Sequence, residues 1–274
     1  MKKHIFFIIY ILSQSSYLMA QDGEKLFIQV RYSVLGMEYL ENNRRPYNDL
    51  FNLDVGQDCS VFYSYLQYAR DSVTNSLKKQ GYSGYEIIEI RKEQGLAQGG
   101  KDILITNNSK NEYLHYTIIG AQPFSTKESI EQINWKTTSD TENILQYKCF
   151  KATAKFKGRE WVVWFTTDIP VKTGPWKLSG LPGLILKAYD SENNFTFECV
   201  GITKIDKKID MSYYSKYHHA VKSEYDKMIV KSKANPLDFI ENQMGIKSTQ
   251  GFDRDGKPIP RSKFQNLKYN PIER

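Results

Sequence analysis

At 274 residues, 40% apolar and 14% aromatic, the chain is long enough for one large or two small domains and carries enough apolar mass for a real core, which excludes a disordered or low-complexity protein. Nineteen tyrosines and fourteen phenylalanines favour strands and set a β-rich expectation. The formal charge is +7, and residues 201–274 hold 15 Lys and Arg against 9 Asp and Glu, so the excess sits in the last quarter of the chain.

The N-terminus reads as a secretory signal peptide over residues 1–20: Lys2-Lys3, an apolar run from Ile5 to Leu12, and cleavage after Ala20. That run is too short for the roughly 20 residues of a membrane span. Gln21 rather than cysteine follows the cut, which argues against a lipid anchor. Export to the periplasm or beyond is expected, and it argues against nucleic acid as a partner. A basic tail would instead contact an anionic membrane surface or an outer-membrane protein.

Leu26, Ile28, Val30, Tyr32 and Val34 alternate with Phe27, Gln29, Arg31 and Ser33, which predicts a half-buried first strand. Leu50 to Val55 and Cys59 to Tyr63 read as the next two. Tyr65, Ala69, Val73 and Leu77 recur at helical spacing before Gly81. Tyr85 to Arg91 fits helix or strand equally. Asp102 to Thr106 and Glu112 to Ile119 flank a polar loop and predict a hairpin.

Tyr147 to Phe156 and Trp161 to Thr167 are β-branched and aromatic runs joined by Lys157-Gly158-Arg159-Glu160, a second hairpin. Both faces of Trp161 to Thr166 are apolar, which marks a central strand. Gly180-Leu181-Pro182-Gly183-Leu184-Ile185 predicts a type II turn, with Pro182 at the second position and Gly183 at the third, where φ is positive. Leu184 to Tyr189 and Phe195 to Ile202 form a third hairpin. Tyr214, Tyr217, His218, Val221, Tyr225, Met228 and Ile229 fall on one side of a helical wheel, predicting an amphipathic helix over 211–233. A short helix follows over 237–244. The expected layout is a signal peptide (1–20), one β-rich domain (21–244) and an extended basic C-terminal arm (245–274). The expected class is α+β and β-rich: a curved antiparallel sheet or half-open β-barrel with one or two packed helices.

The hexapeptide at 180–185 resembles the motif that names the GLPGLI family of exported proteins of Gram-negative bacteria. Trp135-Lys136, Tyr147-Lys148-Cys149, Gly158-Arg159, Trp164-Phe165, Ile169-Pro170, Gly174-Pro175-Trp176-Lys177 and Asn270-Pro271-Ile272-Glu273 are similar to that family's pattern, while Gln146 stands where its members usually have glycine. The likeness is dense over residues 130–200 and looser elsewhere. It implies an exported protein and no particular activity.

The chemistry-bearing motifs are sparse. Gly95-Leu96-Ala97-Gln98-Gly99-Gly100-Lys101 has phosphate-loop spacing, but Asp102 stands where a Ser or Thr would hold magnesium, and a strand follows. His218 and His219 diverge by about 100° on a helix, and no ligand type follows at three or four residues. His115 is alone in a strand pattern, and no Gly-x-Ser-x-Gly elbow occurs. Cys59 has nothing beside it in sequence to stabilise a thiolate. No catalytic residue, metal site or cofactor is expected. Cys149 and Cys199 are the preferred disulfide pair, with buried free thiols as the alternative. Two functional readings follow. In one, a non-enzymatic carrier holds a lipid or peptide against Trp135, Trp161, Trp164, Trp176, Leu181 and Pro182, with the helix over 211–233 as a lid. In the other, a structural protein at the inner face of the outer membrane has no cavity at all.

Overall fold

The structure, a computed structural model, describes residues 24–39, 46–245, 247 and 257–274. The expected signal peptide and its cleavage site lie outside these residues. Strands β1 (Lys25–Met37), β2 (Pro46–Gly56) and β3 (Cys59–Ser64) lead into helices α1 (Tyr65–Lys79) and α2 (Gly84–Glu93). Next come β4 (Ile103–Asn107), β5 (Glu112–Ile119), β6 (Gln122–Ser129), β7 (Lys136–Ile144), β8 (Tyr147–Phe156), β9 (Arg159–Thr166), β10 (Leu184–Asp190) and β11 (Phe195–Lys208). The two-residue β12 (His218–His219), α3 (Lys222–Ala234) and α4 (Pro236–Met244) complete the order. All the strands form one sheet in the order β12-β6-β5-β4-β3-β2-β1-β11-β10-β9-β8-β7. Its ladders are antiparallel except β12 with β6. The ends, β12 and β7, do not pair, so the sheet is open and curved, in an α+β, β-rich fold.

β1 is the middle of this sheet because alternate residues on both its sides are apolar. Val30 lies opposite Leu53, Tyr32 opposite Phe51, and Val34 opposite Phe197, all buried. The Tyr32 hydroxyl donates to the Ile185 carbonyl at 2.7 Å, tying β1 to β10. Helix starts follow local chemistry. Ser64 caps α1 by accepting from the Gln67 N–H, and Ser83 with Glu86 makes a reciprocal capping box that settles residues 85–91 as helix.

Three sequence expectations are corrected. First, Gly183 does not have positive φ; Gly180 does, at 94°, so the type II turn is absent. Gly183 is needed for close approach instead, since a Cβ there would stand 1.9 Å from the Thr166 carbonyl oxygen. Second, the helix expected over 211–233 is three pieces. Tyr214 and Tyr217 pack on Tyr116, on the sheet face opposite to that of the neighbouring His115. The chain then passes the sheet edge as β12, where His218 and His219 are exposed, and returns as α3 over the His115 face. One apolar stripe in sequence therefore serves two faces of the sheet. Third, Cys149 and Cys199 are free and buried, as is Cys59. β9 and β10 lie between the strands that carry the first two. Burial pushes both of those thiols up to about 11. Strands β6 and β7 carry no hydrophobic pattern, because Gln122–Ser129 contains a proline and β7 is a polar, mostly exposed edge.

Within the tail, residues 257–274 lie against the domain. The Leu267 N–H donates to the Ala234 carbonyl, Tyr39 bridges Tyr269, and the buried Asn270 side chain donates to the Met37 carbonyl at 2.7 Å. Its arginines are paired, Arg261 with Asp238 and Glu241, and Arg274 with Glu192.

Candidate functional site

A cavity of about 870 Å³ opens on the inner face of the sheet, between β1–β5, the loop at residues 98–102, α3 and the last six residues. Its floor is apolar, made by Val34, Phe51, Phe62, Leu104 and Phe197. The opposite wall is polar. Asp102 stands at the end of the glycine-rich loop, and its Oδ1 lies 3.1 Å from His115 Nε2 on β5. His115 Nδ1 is in turn 3.2 Å from the hydroxyl of Tyr225, the buried residue of α3. A carboxylate, an imidazole and a phenol thus run in line from loop to sheet to helix.

Asp102 is among the residues lining the cavity, and 55% of its side chain is accessible. Burial opposes its charge, but the hydrogen bond and charge of His115, with Lys233 and Thr117, hold its carboxyl down at about 2. Lys233 sits on α3 and donates to Glu38 at 2.8 Å. Burial disfavours that ammonium, yet Glu38, Tyr269 and Asp102 outweigh the penalty and raise its pKa. Burial above all raises the phenols of Tyr47, Tyr225 and Tyr269, which stay neutral. Asp49 is buried at the back of the wall. It accepts from the Gly100 and Leu50 N–H groups at 2.7 Å and from the Ser64 hydroxyl at 2.9 Å, fixing the loop. Burial nevertheless raises its pKa.

The other side of the opening is an ionic clasp. The buried Lys177 ammonium donates to Glu128 on β6 and Glu273 in the C-terminal segment. Lys222 at the start of α3 lies 3.6 Å from Glu273 and 2.7 Å from Asp226. Trp176, which precedes Lys177, adopts φ of 54°, uncommon for a bulky side chain, and its ring lines the cavity. Beside it the buried Arg159 pairs with Asp190 at 2.6 Å and donates to Asn270 Oδ1 at 2.7 Å and to the carbonyls of Pro271 and Ile272. Gly158-Arg159, Trp176-Lys177 and Asn270 to Glu273 stand far apart in sequence, and here they meet.

Of the expected ligand residues, only Trp176 lines the cavity. Trp161 is fully buried between Trp176 and Phe197, and its Nε1 donates to the Phe156 carbonyl. Leu181 is buried in the core, while Pro182 is exposed outside the cavity. Trp135 is half-buried and donates to the Ser179 carbonyl at 2.8 Å. Trp164 points to the other face of β9, with Lys151 above its ring. The residues that sequence reasoning passed over are Glu38, Asp102, His115, Tyr225 and Lys233. The one available signal was Asp102, set directly after a glycine-rich loop. Among the described residues, no group of three or more His, Cys, Asp and Glu side chains could hold a metal ion.

A family model described as "N-glycanase peptide, N-terminal domain" matches residues 85–231. Among solved structures, PNGF-II in its C2 crystal form aligns with a TM-score of 0.51 and 19% identity, over 76% of this chain and 33% of that one. Its P21 form gives 0.52 and 20%, over 76% and 34%. The chain therefore spans about a third of the length of PNGF-II, and at this identity the likeness shows a shared fold. A LolA superfamily protein from Nitrosomonas europaea aligns with a TM-score of 0.27, too low to carry an argument. No curated protein matches. These matches overturn the expectation of a lipid or peptide carrier, since they lead to an N-glycanase domain. The cavity overturns the second reading, of a structural protein at the inner face of the outer membrane with no cavity.

Proposed function

Because the chain belongs to the family of the N-glycanase peptide N-terminal domain, we propose that it is a glycan-engaging module of the N-glycanase class that does not itself catalyse bond cleavage. The observation that carries this reading is the two-sided lining of the cavity. A sugar ring presents an apolar C–H face and a belt of hydroxyls, and here an apolar floor stands opposite a wall of neutral phenols, a carboxylate and a histidine. A wall with this many charged groups is a poor match for an acyl chain, which could not satisfy them. The non-catalytic part rests on coverage, since the matching model is that of an N-terminal domain and the chain spans about a third of PNGF-II.

We further read the GLPGLI-type pattern as a signature of this same domain. Its hexapeptide and Trp176-Lys177 fall within the matched stretch 85–231, and its distant pieces form the ionic clasp. Export with cleavage after Ala20 belongs to the same proposal, and N-terminal sequencing of the secreted chain tests it.

The functional test is calorimetric titration with an N-glycopeptide and with the same peptide after removal of its glycan. Binding of the first and not of the second is expected. Equal binding, or none, would overturn the reading. Mass spectrometry of the glycopeptide after prolonged incubation checks the non-catalytic part, because conversion of its glycosylated Asn to Asp would refute it.

A further inference from the structure

Val34 and Phe197 line the cavity, so their strand neighbours Ser33, Leu35 and Glu198 point to the opposite face of the sheet. On that face Ser33, Glu198, Lys187 and Trp164 form one row in register across β1, β11, β10 and β9, and Leu35, Thr196 and Tyr189 form the next. α1 packs against β2 and β3, and α3 against β5 and β6, so the helices leave these middle strands to solvent. Leu35 is 48% exposed, Val200, in the bulge beside Glu198, is 49% exposed, and Glu198 is exposed as well.

Arg31 stands on the same face, two residues before Ser33. Its Nε donates to the Asn52 side-chain oxygen at 3.0 Å, and its guanidinium carbon lies 3.9 Å from the centre of the Tyr65 ring. Asn52 in turn donates to the Tyr63 hydroxyl at 3.3 Å. The guanidinium is thus aimed, and its Nη groups have no partner among the described residues. Glu198 has none either: Lys187, opposite it in register, reaches Glu142 at 3.2 Å instead.

We propose that this face is a contact between two copies of the chain, in which Arg31 of each copy pairs with the partner's Glu198. An uncommitted cation and an uncommitted carboxylate on adjacent strands make the face complementary to itself. A two-fold axis lying in the plane of the face and passing between the two residues sets Arg31 over the partner's Glu198 and Glu198 over the partner's Arg31, as an isologous contact requires. A guanidinium held in place binds a carboxylate through two parallel hydrogen bonds. Leu35, Val200 and the half-buried Trp164 and Tyr189 supply the apolar and aromatic area that keeps water from such a pair. Four strands about 4.8 Å apart and the seven residues of β10 give a footprint of roughly 19 by 24 Å. That is below the roughly 800 Å² per partner of a standard interface, so the dimer is a weak one that depends on concentration. The cavity stays open in the pair, and the proposal does not depend on the glycan reading.

Sedimentation velocity of the purified protein from about 1 to 200 μM tests it, the range in which a weak dimer assembles. Dimer formation within that range is expected, and Arg31→Glu and Glu198→Arg should each weaken it about tenfold or more, because like charges then face each other. The double variant exchanges the signs and should regain most of the loss. A monomer throughout, single variants without effect, or a double variant no better than the weaker single would overturn the contact. Circular dichroism and melting check that each variant folds. If Arg31→Glu does not, Glu198→Arg and Val200→Asp, both at exposed positions, decide the matter, and a dimer unchanged by either would overturn the proposal.

Discussion

The two halves of the sheet use the same strand geometry to opposite ends. Across β8 to β11 the curve is filled: Trp161, Val163, Leu184, Ile185, Leu186 and Ala188 are fully buried, and side chain meets side chain. Across β2 to β5 the curve is left open over an apolar floor, and α3, which lies across it, buries Tyr225 alone among its residues. That helix is held by polar links, Lys233 to Glu38, Lys222 to Glu273, and Tyr225 to His115. The filled half keeps its shape through packing, which is dense and intolerant of change. The open half depends on charges, each of modest worth where water reaches it. Stability and function are thus written in different residues.

Arg159 is where the filled half grips the C-terminal strap, and its loss should have the largest effect. Arg159→Met leaves Asp190, which also accepts from the Asn194 and Phe195 N–H groups, as a buried carboxylate without a cation, and frees the strap from Asn270 to Ile272. A loss of about 3–5 kcal/mol is expected from urea denaturation. A loss under about 1 kcal/mol would mean that the strap, not the sheet, carries the pair.

Next come the glycines of the hexapeptide. Gly183→Ala drives a Cβ into the Thr166 carbonyl at the β9–β10 contact and should cost about 2–3 kcal/mol. Gly180→Ala has open space around it and only its φ of 94° to strain, for about 1 kcal/mol. Chemical denaturation of the two variants gives the ranking, and the reverse order would show that the close approach of Gly183 to Thr166 does not constrain this turn.

The contrast also explains what was legible in the sequence. β1, β8, β9 and β10 declare themselves through apolar alternation or apolar runs, and the hairpins at 147–166 and 184–202 appear where they were expected. β6 and β7 do not, because a covered edge and an exposed edge need no apolar face. The wrap of residues 211–234 around the sheet edge is hidden for a different reason: Tyr214 and Tyr225 have the same composition signal and opposite destinations. The cavity was least legible of all. Glu38, Asp102, His115 and the α3 pair Tyr225 and Lys233 come from four separate segments, and only the curvature of the sheet brings them together. The tryptophans suggested a site because they are large and apolar, yet that is the reason Trp161 ends in the core.

A smaller effect sharpens the comparison from the open side. Lys233→Met cuts the link from α3 to Glu38, a pair with about a third of each side chain exposed, so global stability should change by no more than about 1 kcal/mol. Amide hydrogen exchange should nevertheless quicken in α3 and stay unchanged in β8 to β10. Uniform acceleration across both regions would show that α3 and the filled half open together.

The smallest and most specific effect lies in acid, where two carboxylates on one wall should respond with opposite signs. Asp102 titrates at about 2 in the folded protein against an ordinary 3.8. Between those values the unfolded chain binds more protons, so the contribution of Asp102 is complete above about pH 4 and is lost as pH falls through about 2. Asp49 is shifted upward by burial, so its charge weighs against folding as pH rises past 3.8. Melting temperatures followed from about pH 2 to 6 should therefore show Asp102→Asn falling progressively below the unaltered protein as pH rises. Asp49→Asn starts lower by the hydrogen bonds it weakens at Gly100 and Leu50, and should recover part of that deficit over the same range. Parallel curves for the two variants would mean that the open wall titrates as one body, and the separate electrostatic roles of Asp49 and Asp102 would fall.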